Sequence, residues 1–250
     1  MSATQRSYKT SGVILRGRIY GEADRILTLY TIDRGKIDAI AKGARRTKSH
    51  LAGRLEFGNE VQLTMHRGRN LDVVVSAEIE QAHWQRLVQP EHFAAANVVV
   101  ELIDAFCEPD LAQPDLYMLL TGVLGAIAQS DEPLSLLPRF SMRLLDVLGL
   151  APPVESCTHC GAPLVGSAWL DAQQGGFGCE ACRVTWREVL SLDADDLRNL
   201  RGLAAAPGGQ VMPVLRATRR TAQAVESLVN HHLGRRPKAG VHALEFVNRG

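Results

Sequence analysis

Cys157, Cys160, Cys179 and Cys182 form a C-x₂-C-x₁₈-C-x₂-C array. Two cysteines three positions apart can aim both sulfurs at one point across a tight turn. Two such turns supply the thiolates of a closed tetrahedral zinc site. With every position filled by protein, such a site leaves no room for water or substrate, so one structural zinc is expected. Gly161 after the first pair and Gly175, Gly176 and Gly178 before the second suit tight turns, and Trp169, Phe177 and Trp186 are placed to roof a small knuckle. The competing arrangements are two disulfides, or buried thiols that share this spacing by chance. His159 could replace a cysteine ligand, but a histidine inside a knuckle more often faces solvent. Cys107, about fifty residues earlier in an apolar helical stretch, reads as a small core residue.

The second chemical signal is a run of charge. Lys42-Gly43-Ala44-Arg45-Arg46-Thr47-Lys48-Ser49-His50 is followed by Arg54, and no acid occurs between Lys42 and Leu55. Cations without internal counter-charge attract phosphates, while Gly43, Thr47 and Ser49 add backbone and hydroxyl donors. The plainer alternative is a solvated charged loop. Only Tyr8, Tyr20, Tyr30 and Phe57 are aromatic in residues 1–80, so stacking platforms are sparse and any affinity should be mostly electrostatic. A further cluster, Arg216, Arg219 and Arg220 with Arg235, Arg236 and Lys238, is opposed only by Glu226. Its first three members are expected on one helical face, as an extension of a nucleic-acid track or as plain surface.

No catalytic constellation is present. The chain lacks a P-loop, a G-x-S-x-G elbow, an H-E-x-x-H helix and a dinucleotide glycine fingerprint. Asp193, Asp195 and Asp196 could be metal carboxylates, yet a helix N-terminus wants the same residues for its exposed amides. His231 and His232 likewise suit a helix C-terminus.

These groups need elements to hold them. Gly12 to Tyr20, Ile26 to Ile32, Lys36 to Lys42, Val61 to Met65 and the run Leu71 to Glu80 read as five short strands. In the last, Leu71, Val73, Val75, Ala77 and Ile79 alternate with mostly polar residues, which predicts one buried face. Arg67-Gly68-Arg69-Asn70 is the expected hairpin turn before it. Five strands at this spacing suggest a small closed barrel, most commonly an OB-fold. From about residue 83 the period becomes helical. Glu91 to Cys107 sets Phe93, Val98, Leu102 and Phe106 on one stripe, Pro114-Asp115 and Pro138 open further helices, and Pro152-Pro153 breaks into the cysteine segment. Asp193 is an expected helix cap, Val214 to Leu233 a last long helix, and the tail after Arg235 is expected to be poorly ordered.

At 250 residues, 46% apolar and 22% charged, the composition is that of a multidomain protein with a real core. The expected partition is 1–80 for the barrel, 81–153 for a first helical part, 154–188 for the zinc finger and 189–250 for a second helical part. The fold class is therefore α+β, multidomain. The net charge of +1 hides a split: fourteen Lys and Arg against nine acids in residues 1–80, hence +5, leaving −4 elsewhere. A basic first domain suggests an anionic ligand, and an acidic body a protein partner. The start is polar, without an apolar signal core, and no apolar run reaches membrane-spanning length. A cytoplasmic location, where thiols stay reduced, is the expectation.

Gly12-Val13-Ile14-Leu15, Tyr20-Gly21-Glu22-Ala23-Asp24-Arg25-Ile26-Leu27, Gly35-Lys36-Ile37 and Ala41-Lys42-Gly43-Ala44-Arg45-Arg46 with Lys48-Ser49 resemble the amino-terminal signature of the bacterial recombination mediator family RecO. The layout of strands, helices and cysteines is similar to that family over essentially the whole chain. The resemblance implies an OB-fold followed by a helical domain with an embedded Cys₄ zinc finger. It also implies binding of single- and double-stranded DNA, annealing of complementary strands and partnership with RecR. Together these relieve the block that single-stranded-DNA-binding protein places on RecA loading. Some members lack the cysteines, which implies that zinc props the fold. The family's binding residues carry over as Lys42, Arg45, Arg46 and Lys48, with Arg25 and Lys36 behind them; Arg54 is a DNA-binding candidate only as the continuation of the basic run. The functions in competition are a non-enzymatic annealing and loading factor, a zinc-containing nucleic-acid-processing enzyme, and a protein-only adaptor.

Overall fold

The computed structural model describes residues 7–171, 173–183, 186, 189–205 and 217–239, and the chain divides into two units, Met1–Gln129 and Ser130–Gly250. The first unit opens with five strands: β1 (Ser7–Tyr20), β2 (Asp24–Thr31), β3 (Gly35–Ala41), β4 (Glu60–His66) and β5 (Asp72–Gln81). They close into a barrel in the order β1-β2-β3-β5-β4. All neighbours are antiparallel except β3 and β5, which pair in parallel at Ala39↔Asp72 and Ile40↔Val73. This is the OB arrangement. Its interior is filled by alternate residues such as Ile14, Leu27, Leu29, Leu63 and Met65, each at most 0% exposed.

The expected buried face of β5 is corrected. Val74 is 3% exposed, whereas Val75 and Ile79 are 39% and 43% exposed. A bulge explains Val74 and Val75: Thr64 pairs Ser76 but Met65 pairs Val74, so Val75 is the extra residue. One inserted residue reverses the in–out parity of the strand beyond it. Val74 and Ala77 therefore both face the core, three positions apart.

Helices α1 (Trp84–Leu87), α2 (Pro90–Phe106) and α3 (Pro114–Gln129) complete the unit. Proline at the start of α2 fits the first turn, whose amides have no intrahelical partner. The buried stripe of α2 runs through Ala95, Ala96, Val99 and Ile103, while Phe93 is 45% exposed. Phe93 was expected in the core stripe; it instead packs edge-to-face on Phe57 at 5.5 Å. The chain between α2 and α3 is tied to the barrel edge. The Asp110 amide donates to the Lys36 carbonyl at 2.9 Å, and Arg34 pairs with both Asp72 and Asp110. Gly35 makes the close approach possible: a Cβ there would lie 2.0 Å from the Leu111 carbonyl oxygen.

The second unit holds a short 3₁₀ turn, α4 (Leu137–Val147), the strands β6 (Ala168–Asp171), β7 (Gly176–Gly178) and β8 (Val189–Leu192), the single turn α5 (Glu180–Arg183), and helices α6 (Ala194–Ala204) and α7 (Arg219–Leu233). Its sheet has the order β7-β6-β8. Arg139, 3% exposed, donates to the carbonyls of Gly202 and Ala205 and so ties α4 to the end of α6. The last helix starts at Arg219, later than expected, because Thr218 caps it by accepting from the Thr221 amide. It ends at Gly234, whose φ of 65° is the left-handed cap that glycine tolerates. Of the expected tail after Arg235, residues 236–239 are described and residues 240–250 lie outside the described residues. Among the described residues no helix is long and apolar enough to cross a membrane.

Candidate metal centre and nucleic-acid interface

The four cysteines converge. Their sulfurs all lie within 4.8 Å of one another, and Cys160 Sγ is 3.7 Å from Cys179 Sγ. Zn–S bonds of about 2.3 Å in a tetrahedron require S···S edges of roughly 3.8 Å. A disulfide would need about 2.05 Å. The donor set therefore fits a tetrahedral soft-metal site.

Local backbone bonding builds the site. In the first knuckle the Cys157 amide donates to Ala162 at 2.8 Å and the Gly161 amide returns to the Cys157 carbonyl at 2.9 Å, with Gly161 at φ 74°. Thr158 then fastens that knuckle to β7: its amide and hydroxyl both donate to the Phe177 carbonyl, at 2.8 and 2.9 Å. The second pair sits at the entrance of α5, where the Cys182 amide donates to the Cys179 carbonyl at 3.1 Å. Phe177 is fully buried beneath, and Trp186 covers Gly178 so closely that a Cβ there would meet its ring at 1.9 Å. Arg183 lies 4.8 Å over the Trp169 ring. His159 is exposed and outside the cluster, as expected.

Burial opposes ionisation of Cys157, but the amides of Cys160, Cys179 and His159 and the Cys160 thiol all point at its sulfur. The balance holds Cys157 at about 6. Hydrogen bonding to Cys160, then burial and the remaining thiols, push Cys182 up to about 12. One thiolate thus shares its neighbours' protons, a cluster in which a divalent cation would replace them. Cys107 is 8% exposed, and burial pushes its thiol up to about 11, as befits a core residue.

The basic segment connects β3 to β4, and it is held rather than loose. Successive three-residue turns run through it, from Arg46 to Gly43 at 3.1 Å to Arg54 to Leu51 at 3.2 Å. Ala44, Leu51 and Leu55 turn inward to plug the barrel, at 8%, 2% and 1% exposure, while Lys42, Arg45, Arg46 and Lys48 face solvent. Burying each leucine contributes about 1.5–3 kcal/mol toward holding the segment in place. At one end it docks on the β1–β2 turn. The Arg45 amide donates to Ala23 at 2.9 Å, the Arg45 guanidinium to Glu22 at 3.0 Å, and the Gly43 amide to the Asp24 carboxylate at 2.8 Å. At the other end His50 Nε2 lies 3.1 Å from the carbonyl of Val75, the bulged residue of β5. Sequence reasoning missed this anchoring, although Leu51 and Leu55, four apart in a polar run, were its signal.

The remaining basic residues are each otherwise engaged or lie on other elements. Arg25 pairs with Glu56 at 3.1 Å and lies over Gly17, and half-buried Arg54 donates to the His50 carbonyl. Lys36 is at the opposite end of β3 from Lys42, about 20 Å away at strand rise, and binds the Asp104 carbonyl at 2.7 Å. Arg219 and Arg220 open α7 in the second unit, where Arg220 sits 3.8 and 3.9 Å from Asp193 and Asp196. Arg216 lies outside the described residues. Asp193 caps α6 by accepting from the amides of Asp195 and Asp196, which, the Asp196 amide foremost, holds its carboxyl below the usual range. His231 and His232 close α7, and burial, followed by the charge of His231, lowers the His232 pKa.

Comparison with known proteins agrees with this geometry. Residues 1–83 match the family described as "Recombination protein O N terminal", and residues 88–240 match "Recombination protein O C terminal". A protein of Bifidobacterium longum named "DNA repair protein RecO" is 41% identical over 181 residues, 71% of this chain and 75% of its own length. Proteins of the same name from a Nocardioides species and from Frankia casuarinae are each 33% identical, over 250 and 247 residues; both alignments span 97% of this chain, and 99% and 98% of theirs. With the barrel and the cysteine-bearing half both matched, this chain belongs to the RecO family of DNA repair and recombination proteins.

Proposed function

We propose that this chain is a non-enzymatic DNA-binding recombination mediator. It binds single- and double-stranded DNA and anneals complementary strands. With RecR it helps load RecA onto strands covered by single-stranded-DNA-binding protein. One observation carries the reading: in a RecO-family barrel, Lys42, Arg45, Arg46 and Lys48 project from a segment whose apolar residues are locked into the core. Preorganised cations on an acid-free stretch of chain suit a polyanion, and screening two such polymers is what annealing requires. Arg25, Lys36 and Arg54 are secondary candidates, because each is half-buried against an internal partner. Arg219 and Arg220, with Arg216, are candidates for a separate contact.

In this reading Cys157, Cys160, Cys179 and Cys182 hold one zinc ion, which staples residues 154–188 and performs no chemistry. The barrel of residues 1–80 is the DNA-binding domain, the helical parts and the finger carry protein contacts, and the protein acts in the cytoplasm on the nucleoid. The enzyme alternative loses its best carboxylates, since Asp193 and Asp196 are engaged in helix capping. Electrophoretic mobility shifts with single strands, duplex and complementary pairs test the proposal. Retarded strands and accelerated duplex formation are expected; nucleolytic products, or no retardation at low salt, would overturn it.

A further inference from the structure

Past Val13, β1 leaves β4 and continues as the outer strand of the β1–β2 ribbon, whose other strand stays paired to β3. Arg16, Gly17, Arg18, Ile19 and Tyr20 are all exposed, Ile19 by 68% and Tyr20 by 54%. The other aromatic rings of the barrel are engaged. Tyr30 is fully buried, and Tyr8 donates to Asp72 and lies beneath Arg34 and Arg67. Phe57 packs on Phe93. Among the described residues, the Tyr20 ring has no stacking or hydrogen-bond partner.

Its place is specific. Tyr20 pairs with Asp24 at the end of the ribbon, and the Asp24 carboxylate is the acceptor that holds Gly43. The same turn holds Arg45 through Ala23 and Glu22. Arg18, two positions back, shares the Tyr20 face of the ribbon. One turn therefore carries an open aromatic ring and anchors the cations of the basic segment. We propose that Tyr20 is a stacking platform for an unpaired nucleobase, one that makes this surface favour single strands over duplex. The inference rests on the DNA-binding reading above. A strand whose phosphates sit on Arg45 and Arg46 brings its bases past the β1–β2 turn, the loop with which OB barrels hold oligonucleotides. A duplex keeps its base faces stacked internally and offers the ring nothing.

The test compares wild type with Tyr20→Ala, Tyr20→Phe and the Arg45→Glu, Arg46→Glu pair. The probes are an oligothymidylate, the same strand with abasic sites, and a duplex. Tyr20→Ala is expected to weaken oligothymidylate binding by on the order of tenfold, with the salt slope and the duplex affinity unchanged. Tyr20→Phe restores the wild-type value, and abasic strands bind wild type and Tyr20→Ala alike. Equal oligothymidylate affinity of wild type and Tyr20→Ala, with the charge-reversed pair still defective, overturns the platform and leaves the DNA reading standing. Failure of wild type to bind any probe overturns both.

Discussion

The Thr218 hydroxyl donates to Asp196 at 2.7 Å, and the other oxygen of that carboxylate accepts from the Asp193 amide at 3.3 Å. A single carboxylate, 3% exposed, thus closes the capping box of α6 and braces the N-cap of α7. Helices separated by residues 205–218 in sequence are joined at their positive ends, where a negative charge is most favourable. Asp195, by contrast, is exposed and, among the described residues, pairs with Arg198.

The two aspartates should behave differently. Asp196→Ala strands buried donors and is expected to cost about 1–3 kcal/mol, read as a lower urea midpoint. Asp195→Asn should cost less than about 0.5 kcal/mol. Neither should alter strand annealing beyond its effect on the folded fraction. Equal midpoints for the two variants would remove Asp196 from its bracing role.

Metal removal should act locally. Finger-type sites bind zinc with apparent free energies on the order of 10–16 kcal/mol, so Cys179→Ser should lose the ion and expose residues 154–188 to protease. The barrel, which has its own apolar core, should stay folded. Elemental analysis and mass spectrometry of the fragments check this; zinc absent from wild type purified without chelators would contradict it.

Acid should loosen the barrel through Asp72. Burial pushes its carboxyl up, but hydrogen bonds from Tyr8 and the Gly68 amide, together with Arg34, outweigh that and leave the pKa lowered. A carboxylate depressed in the folded state stabilises fully above its unfolded pKa, about 3.9. That stability is lost as pH falls through the folded value. Denaturant titrations of wild type and Asp72→Asn should therefore differ at pH 7, with the gap starting to close only as pH falls below about 4. A gap that persists unchanged at acid pH would locate the effect in packing instead.

The Gly35→Ala variant tests the tie between β3 and the α2–α3 connection. Its φ is +65° and the added Cβ would meet the Leu111 carbonyl oxygen at 2.0 Å, backbone that cannot swing aside. A loss of more than about 2 kcal/mol is expected. Gly21→Ala, also at positive φ but in open space, should cost about 1 kcal/mol. Equal midpoints would show that the connection shifts freely.

Salt should report the basic segment. Each phosphate neutralised on a single strand contributes about −0.7 to the slope of log K against log salt. Replacing Lys42, Arg45, Arg46 or Lys48 by Ala should flatten the slope by about one such share, equally for all base sequences. Reversing Arg45 and Arg46 to Glu should lower affinity further and reduce annealing with it. An unchanged slope in the folded double variant would move the DNA surface elsewhere.

The cysteine spacing, the acid-free run from Lys42 to Leu55, the five strands and the Asp193 cap were all legible in the sequence, because each is a local pattern. Thiol pairs in tight turns, alternation along a strand and side chains that satisfy nearby amides need only a few neighbouring residues. Tertiary structure decided what depends on distant partners. The β5 bulge arises in pairing with β4, so it reversed the parity that alternation predicts and put Val75 where His50 reaches it. Leu51 and Leu55 became barrel plugs because closure of the strands created an apolar interior to receive them. Barrel closure likewise buried Tyr30 and left Tyr20 on the exposed end of β1, although both are tyrosines at strand positions. Lys36 and Arg25 were drawn into ion pairs with Asp104 and Glu56, partners 68 and 31 residues away, whose approach no local pattern encodes.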